Sequence, residues 1–167
     1  MPQTHIAKRT SYSPTQSNHP CPVSSNPRAP RRKMIIVTLT GATGSILGIR
    51  ALIALHRLNV GIHLIISKWA ENTVKYETDY TVANVHALAN TVYRCHDMAA
   101  PIASRSFRVD GMVVMPYSMK TLSAINTGYY DDLISRSADV VLKERHRLVL
   151  VTGECPLSGI HLQWVTW

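Results

Sequence analysis

The chain has 167 residues, 46% of them hydrophobic, which suits one packed domain of ordinary size. No apolar run approaches the ~20 residues of a membrane-spanning helix, so no membrane span is expected. The formal net charge of +8 is unevenly placed: six of the eighteen Lys and Arg, and none of the ten Asp and Glu, fall in residues 1–33. The rest of the chain is nearly neutral, and composition therefore argues against a nucleic-acid surface on the domain itself.

Residues 1–33 hold six of the nine Pro, many Ser, Thr and Asn, and almost no bulky apolar side chain. Such a segment buries too little surface to offset its ordering entropy and reads as a disordered basic leader. Its composition is that of a mitochondrial presequence, although Pro14, Pro20, Pro22, Pro27 and Pro30 interrupt an amphipathic helix. A mitochondrial and a cytoplasmic location both stay open.

From Met34 onward, strand and helix patterns alternate. Residues 34–40 (MIIVTLT) read as a buried strand. A helix is expected over 46–58, with Leu47, Ala51, Ala54 and Leu58 three or four apart. A strand over 61–66 follows the turn at Asn59, then helices over 68–76 and 82–89. The run 111–115 is a strand ended by Pro116. Helices over 118–125 and 131–145 precede a last strand over 148–151. Alternation of this kind implies an α/β fold, with parallel strands joined by crossovers.

Ligands of such sheets bind beyond the carboxyl ends of the strands, so the residues after each strand matter most. After the first come Gly41, Ala42, Thr43, Gly44 and Ser45, a tight turn whose free N–H groups suit a phosphate at a helix start. The turn is not GxGxxG. After the second strand, Ser67 either caps a helix or contacts a ligand. After 111–115, Ser118, Met119, Lys120 and Thr121 form another hydroxyl-bearing helix start with a cation. Three such starts on one edge favour a phosphorylated ligand over coincidence. Cys21, Cys95 and Cys155 are far apart, and the eight His show no paired spacing, so neither a disulfide framework nor a metal site is expected.

Five segments, MIIVTLTGATGSILGIR, HLIISKWAENTVKYETDY, DMAAPIASRSF, DGMVVMPYSMKTLSAI and DDLISRSADVVLKERHRLVLV, together resemble the UbiX-type flavin prenyltransferases, and within them the fungal phenylacrylic-acid-decarboxylase branch. The resemblance implies a Rossmann-like, flavodoxin-type three-layer sandwich occupying residues 34–162, assembled as a homo-oligomer, trimer or dodecamer. It implies transfer of a dimethylallyl group from dimethylallyl phosphate to reduced FMN, without a metal. The product, prenylated FMN, would serve a UbiD-type decarboxylase. By the same resemblance Gly41, Ala42, Thr43, Ser67, Ser118, Met119, Lys120 and Thr121 bind FMN, Lys143 contacts the prenyl phosphate, and Glu77 and Glu154 are the catalytic carboxyl groups. Loss of phosphate from an allylic carbon develops charge that a fixed Lys and an electron-rich ring can offset.

The chain departs from the family pattern at Gly153, where an Arg is expected, at Arg105 in place of Gly, and at Tyr117 in place of Cys. After Leu162 the resemblance stops, so residues 163–167 read as an aberrant tail and the C-terminal elements of the fold as missing. Two other readings stand beside the transferase: an inactive FMN-binding or assembly subunit of the same family, and a nicotinamide-binding Rossmann oxidoreductase. Against the latter stand the absent GxGxxG and the lack of an acidic residue at the end of the second strand.

Overall fold

The computed structural model describes residues 31–153 and 155–165. Most of the expected leader, and Glu154, lie outside them. Five parallel strands form one sheet: β1 (Met34–Leu39), β2 (Gly61–Ile66), β3 (Thr91–Arg94), β4 (Gly111–Tyr117) and β5 (Arg147–Thr152), in spatial order β3-β2-β1-β4-β5. The helices are α1 (Ser45–Arg57), α2 (Lys68–Glu77), α3 (Val82–Ala87), α4 (Met119–Thr127), α5 (Leu133–Lys143) and α6 (Gly159–Val165).

Successive strand residues face opposite sides, and the sequence loads both sides with aliphatic groups. Val37, Leu39, Ile62 and Leu64 meet Ile49 and Leu52 of α1 and Val74 of α2. Ile36, Ile65, Met112 and Val114 meet Leu122 of α4 and Ile134 and Val141 of α5. Each fully buried aliphatic side chain contributes roughly 2 kcal/mol. These two layers of helices on a parallel sheet are the three-layer α/β sandwich expected from the alternation.

Boundaries differ where local polar chemistry decides them. The helix expected over 131–145 begins only at Leu133, because the Asp132 side chain accepts from the Ser135 N–H and caps it. It stops at Lys143, since Arg145 adopts the left-handed conformation (φ 56°). β4 runs past its expected end to Tyr117. Pro116 has no N–H to give, yet its carbonyl accepts from the Thr40 N–H and hydroxyl, so the strand continues through a register irregularity. The short edge strand β3 lacked a clear pattern in the sequence. The described residues begin at Arg31, three residues before β1. Arg31 pairs with Asp110, and Arg32 donates to the carbonyls of Asn59 and Val60. Gln163, Trp164 and Val165 continue α6, and Trp164 packs against the α4–α5 layer.

One imidazole is buried in that layer. His63 on β2 lies 3.0 Å from the Tyr93 hydroxyl and meets Phe107 edge-on, with ring centroids 5.0 Å apart. Burial lowers its pKa below the ordinary imidazole value. The unfolded chain therefore takes up this proton at a higher pH than the folded one does. Stability contributed by the neutral ring is complete above the unfolded pKa and declines as pH falls toward the folded one. The expected outcome is a lower urea midpoint at about pH 5.5 than at about pH 7.5, with a smaller difference in His63→Gln.

Candidate functional site

The sheet order reverses its direction of growth at β1: β2 and β3 lie on one side, β4 and β5 on the other. In open α/β sheets the crevice beyond the carboxyl ends at that point is the ligand site. Here three strand–helix corners meet along it. The Ser67 N–H after β2 donates to the Leu39 carbonyl at 3.1 Å, which ties the β2 corner to β1. Thr40 ties β1 to β4 through the Pro116 carbonyl, at 3.2 Å from its N–H and 2.9 Å from its hydroxyl. A side chain at Gly41 would overlap the Cβ of Trp69, so only glycine lets the β1 turn lie against the start of α2.

Each corner opens a helix. Ser67 caps α2 by accepting from Ala70 N–H at 3.1 Å. Ser118 caps α4 by accepting from Thr121 N–H at 3.4 Å, and its hydroxyl lies 3.0 Å from that of Thr121. The capping role and the ligand role left open for these serines thus share one geometry. First-turn N–H groups of a helix have no partner within the helix. Those of Gly41, Ala42 and Thr43 also have none among the described residues. The edge is therefore a row of N–H and O–H donors, whose chemistry fits a phosphate monoester such as the tail of FMN.

Glu77 adds a feature the sequence did not show. Its Oε2 accepts from the N–H groups of Gly44 and Ser45, each at 3.0 Å. Gly44 precedes α1 and has no side chain to cap it, so a carboxylate from the end of α2 does so. The anion position at the start of α1 is filled from within, and the donors left for a ligand are those of residues 41–43 and of α2 and α4.

Lys143 is not brought to this edge. α5 runs down to the start of β5, so its last turn lies near the amino ends of the strands. There the Lys143 amine pairs with Asp139 at 2.8 Å and lies 5.9 Å from the Tyr130 ring centroid. Arg136, two turns before Lys143 on the same helix face, pairs with Asp139 at 3.1 Å and stands 5.1 Å from the same ring. The i, i+3, i+7 spacing of Arg136, Asp139 and Lys143 was the available signal for this cluster. Lys120 points outward, 3.5 Å from Asp131. Met119 packs against the core. Burial and the neighbouring Asp132 carboxylate push the Cys95 thiol up to about 12, which keeps it protonated at neutral pH and unsuited to nucleophilic attack.

Gly153 sits directly against the β1 turn. A Cβ there would overlap the Thr43 carbonyl oxygen. The residue expected to carry an Arg thus occupies a place where this backbone admits no side chain. Arg105, the second departure, pairs with Glu144 at 2.7 Å, near the amino ends of the strands and away from the donor row. Tyr117 is buried in the α4–α5 layer.

A parallel sheet with a donor-lined crevice at its reversal point is the arrangement of a flavodoxin-type mononucleotide-binding domain. The pattern of the flavoprotein family matches residues 23–164. The yeast mitochondrial flavin prenyltransferase PAD1 (Saccharomyces cerevisiae) is 54% identical over 134 residues, 80% of this chain and 55% of the relative. Among solved structures, AnUbiX (PadA1), in complex with FMN and dimethylallyl pyrophosphate, superposes with a TM-score of 0.79 at 65% identity, over 80% of this chain and 71% of that one. A dodecameric FMN-dependent UbiX-like decarboxylase from Escherichia coli O157:H7 gives 0.77 at 53% identity, over 79% and 72%. The chain belongs to the flavoprotein family, in its branch of UbiX-type flavin prenyltransferases. It spans just over half the length of the yeast relative. Among the described residues no cluster of His, Cys, Asp and Glu could hold a metal, and no helix is long and apolar enough to cross a membrane.

Removing the carboxylate that caps α1 should loosen the turn that lines the crevice. Glu77→Ala is expected to cost about 1 kcal/mol in urea denaturation, and Glu77→Gln, which keeps one acceptor oxygen, less.

Proposed function

We propose that the chain binds FMN along the row of helix starts and acts as a flavin prenyltransferase, passing a dimethylallyl group from dimethylallyl phosphate to the reduced flavin. The observation that carries this reading is the convergence of Gly41, Ala42 and Thr43 with the starts of α2 and α4 on one crevice. It gains weight from a 65% identical structure that holds FMN with dimethylallyl pyrophosphate. The reduced flavin, when bound, supplies the electron-rich ring that accepts the C5 unit. The chain's part is to hold and orient. Backbone N–H groups of residues 41–43 and the hydroxyls of Thr43, Ser67, Ser118 and Thr121 receive the flavin's phosphate and polar edge. Glu77 fixes the turn that presents them, and it is the first proposed carboxyl group for proton transfer. Glu154 is the second proposed carboxyl group, and Lys143 the proposed contact of the prenyl phosphate. Because Lys143 stands apart from the crevice of its own chain, that role requires a second copy. Homologous chains assemble as dodecamers, and we extend a homo-oligomeric state to this one. A UbiD-type decarboxylase would receive the product. A mitochondrial location is taken from the yeast relative and the composition of residues 1–33.

Gly153 favours a second reading, an FMN-binding subunit without turnover. The expected Arg would bring charge-assisted, often bidentate contacts that glycine cannot replace, and the Thr43 carbonyl leaves no room for it here.

The two readings part under mass spectrometry. With reduced FMN and dimethylallyl phosphate, the transferase releases flavin heavier by one C5 unit. Retained but unmodified flavin supports the binding subunit, and no retained flavin sinks both. Thr43→Ala, which removes one hydroxyl without uncapping a helix, is expected to weaken FMN about fivefold in a fluorescence-quenching titration, the worth of one hydrogen bond.

A further inference from the structure

We infer that the indole of Trp69 is the wall on which the ring of the bound flavin stacks, given the reading of the crevice as an FMN site, and that it sets the angle of that ring. α2 lies lengthwise along the turn after β1. Trp69, Thr73 and Glu77 are spaced i, i+4, i+8 and so share one face of this helix. The Glu77 carboxylate accepts from the Gly44 and Ser45 N–H groups, each at 3.0 Å, and the Thr73 hydroxyl lies 2.9 Å from that of Ser45. Trp69 meets the same turn at its other end. A Cβ added at Gly41 would overlap the Cβ of Trp69 and lie 3.5 Å from its Cα.

The side chain is thereby rooted at the donor row. A helical side chain leans toward the N-terminus of its helix. Trp69 is the second residue of α2, so its indole leans over the opening of the helix and the unused N–H groups there. Among the described residues neither core cluster contains it, and it is 74% exposed. A single exposed aromatic residue means little by itself. Its contact with Gly41 gives it meaning, because that contact is internal to the domain and holds whatever covers the outer side of the ring. A larger residue at 41 would push the indole off the turn.

A flavin presents two kinds of surface. Its phosphate and polar edge need donors, and its broad ring face needs an apolar plane. The row of N–H and O–H groups meets the first need. For the second, the three corners carry two aromatic residues, Trp69 and Tyr117. Tyr117 is 4% exposed and engaged in the α4–α5 layer, which leaves Trp69. Offset stacking of two aromatic rings is favourable beyond the area it buries. One face of α2 thus carries the plane for the ring at its start and the proposed carboxyl group, Glu77, at its end.

The test uses the full chain with oxidised FMN and reads both the dissociation constant and the fluorescence of the bound flavin. An indole in contact with an excited flavin returns it to the ground state without emission, through a reversible electron transfer that a phenyl ring does not support. FMN on the unaltered chain should therefore be dark. Trp69→Phe, which still stacks, should keep most of the affinity and hold a bright flavin. Trp69→Leu should also hold a bright flavin, but about fivefold more weakly, the worth of one aromatic pair. A residue that only supported the fold would change the affinity without brightening the flavin that stays bound. Bound flavin as dark in both variants as in the unaltered chain, or unchanged affinity in Trp69→Leu, overturns the stacking and leaves the FMN site standing. An unaltered chain that retains no FMN overturns the site and the stacking together.

Discussion

The site depends on one junction, the Pro116 carbonyl accepting both the N–H and the hydroxyl of Thr40. Proline interrupts the β4 ladder because it has no N–H, and a strand broken there would let its corner drift. The carbonyl of the same residue restores the tie to β1 two residues beyond the last pair of the regular ladder, Thr38 with Val114. Thr40 is 3% exposed, so these bonds are made in a dry setting where leaving either partner unpaired costs about 1–3 kcal/mol. With that junction closed, the turn of residues 41–43 and the Ser118 corner cannot separate. The Ser67 N–H on the Leu39 carbonyl brings in the third corner. The donor row is thus set by two backbone ties and one glycine contact.

The alternation of apolar strands and amphipathic helices was legible because both faces of a parallel sheet must be apolar, and Val37 beside Ile36 says so in two letters. The helix starts were legible for a related reason. Ser67 and Ser118 are capping residues, and a cap marks both a helix and a set of unused N–H groups. Less legible was anything set by contacts across the chain. That Glu77 would cap α1, more than thirty residues earlier, left no local trace, because its own neighbourhood reads as a solvated acidic pair. β3 escaped notice because an edge strand needs only four residues and little hydrophobicity. The end of β4 was misplaced because proline within a strand normally stops it, and the compensating acceptor lies on another strand.

Charge gives the clearest case of composition hiding arrangement. Beyond Lys33 the chain is nearly balanced, which counts against a polyanion surface only if the charges are mixed in space. The fold does not mix them. Arg31, Lys33, Arg105, Arg108, Arg145 and Arg147 gather around clefts at the amino ends of the strands with Asp110 and Glu144 as their acidic neighbours. The crevice at the carboxyl ends is lined by hydroxyls and backbone donors. One end of the sheet thus gathers cations, of which Arg31 and Arg105 are paired with Asp110 and Glu144, and the other presents fixed dipoles. Dipoles held by helix starts are preorganised and lose little on binding a small anion.

Gly153 is where the family pattern and this backbone conflict most directly. An Arg side chain at that point would reach the crevice, yet the Thr43 carbonyl lies where its Cβ would have to be. A chain with Arg at this point needs either a different path for the end of β5 or a turn that stands farther off. In this chain the glycine lets the end of β5 lie against the turn. The same contact leaves no place for the flavin-contacting cation that the resemblance implies at this position. A side chain at position 153 therefore requires the turn or the end of β5 to move, which couples that position to the donor row of the proposed flavin site.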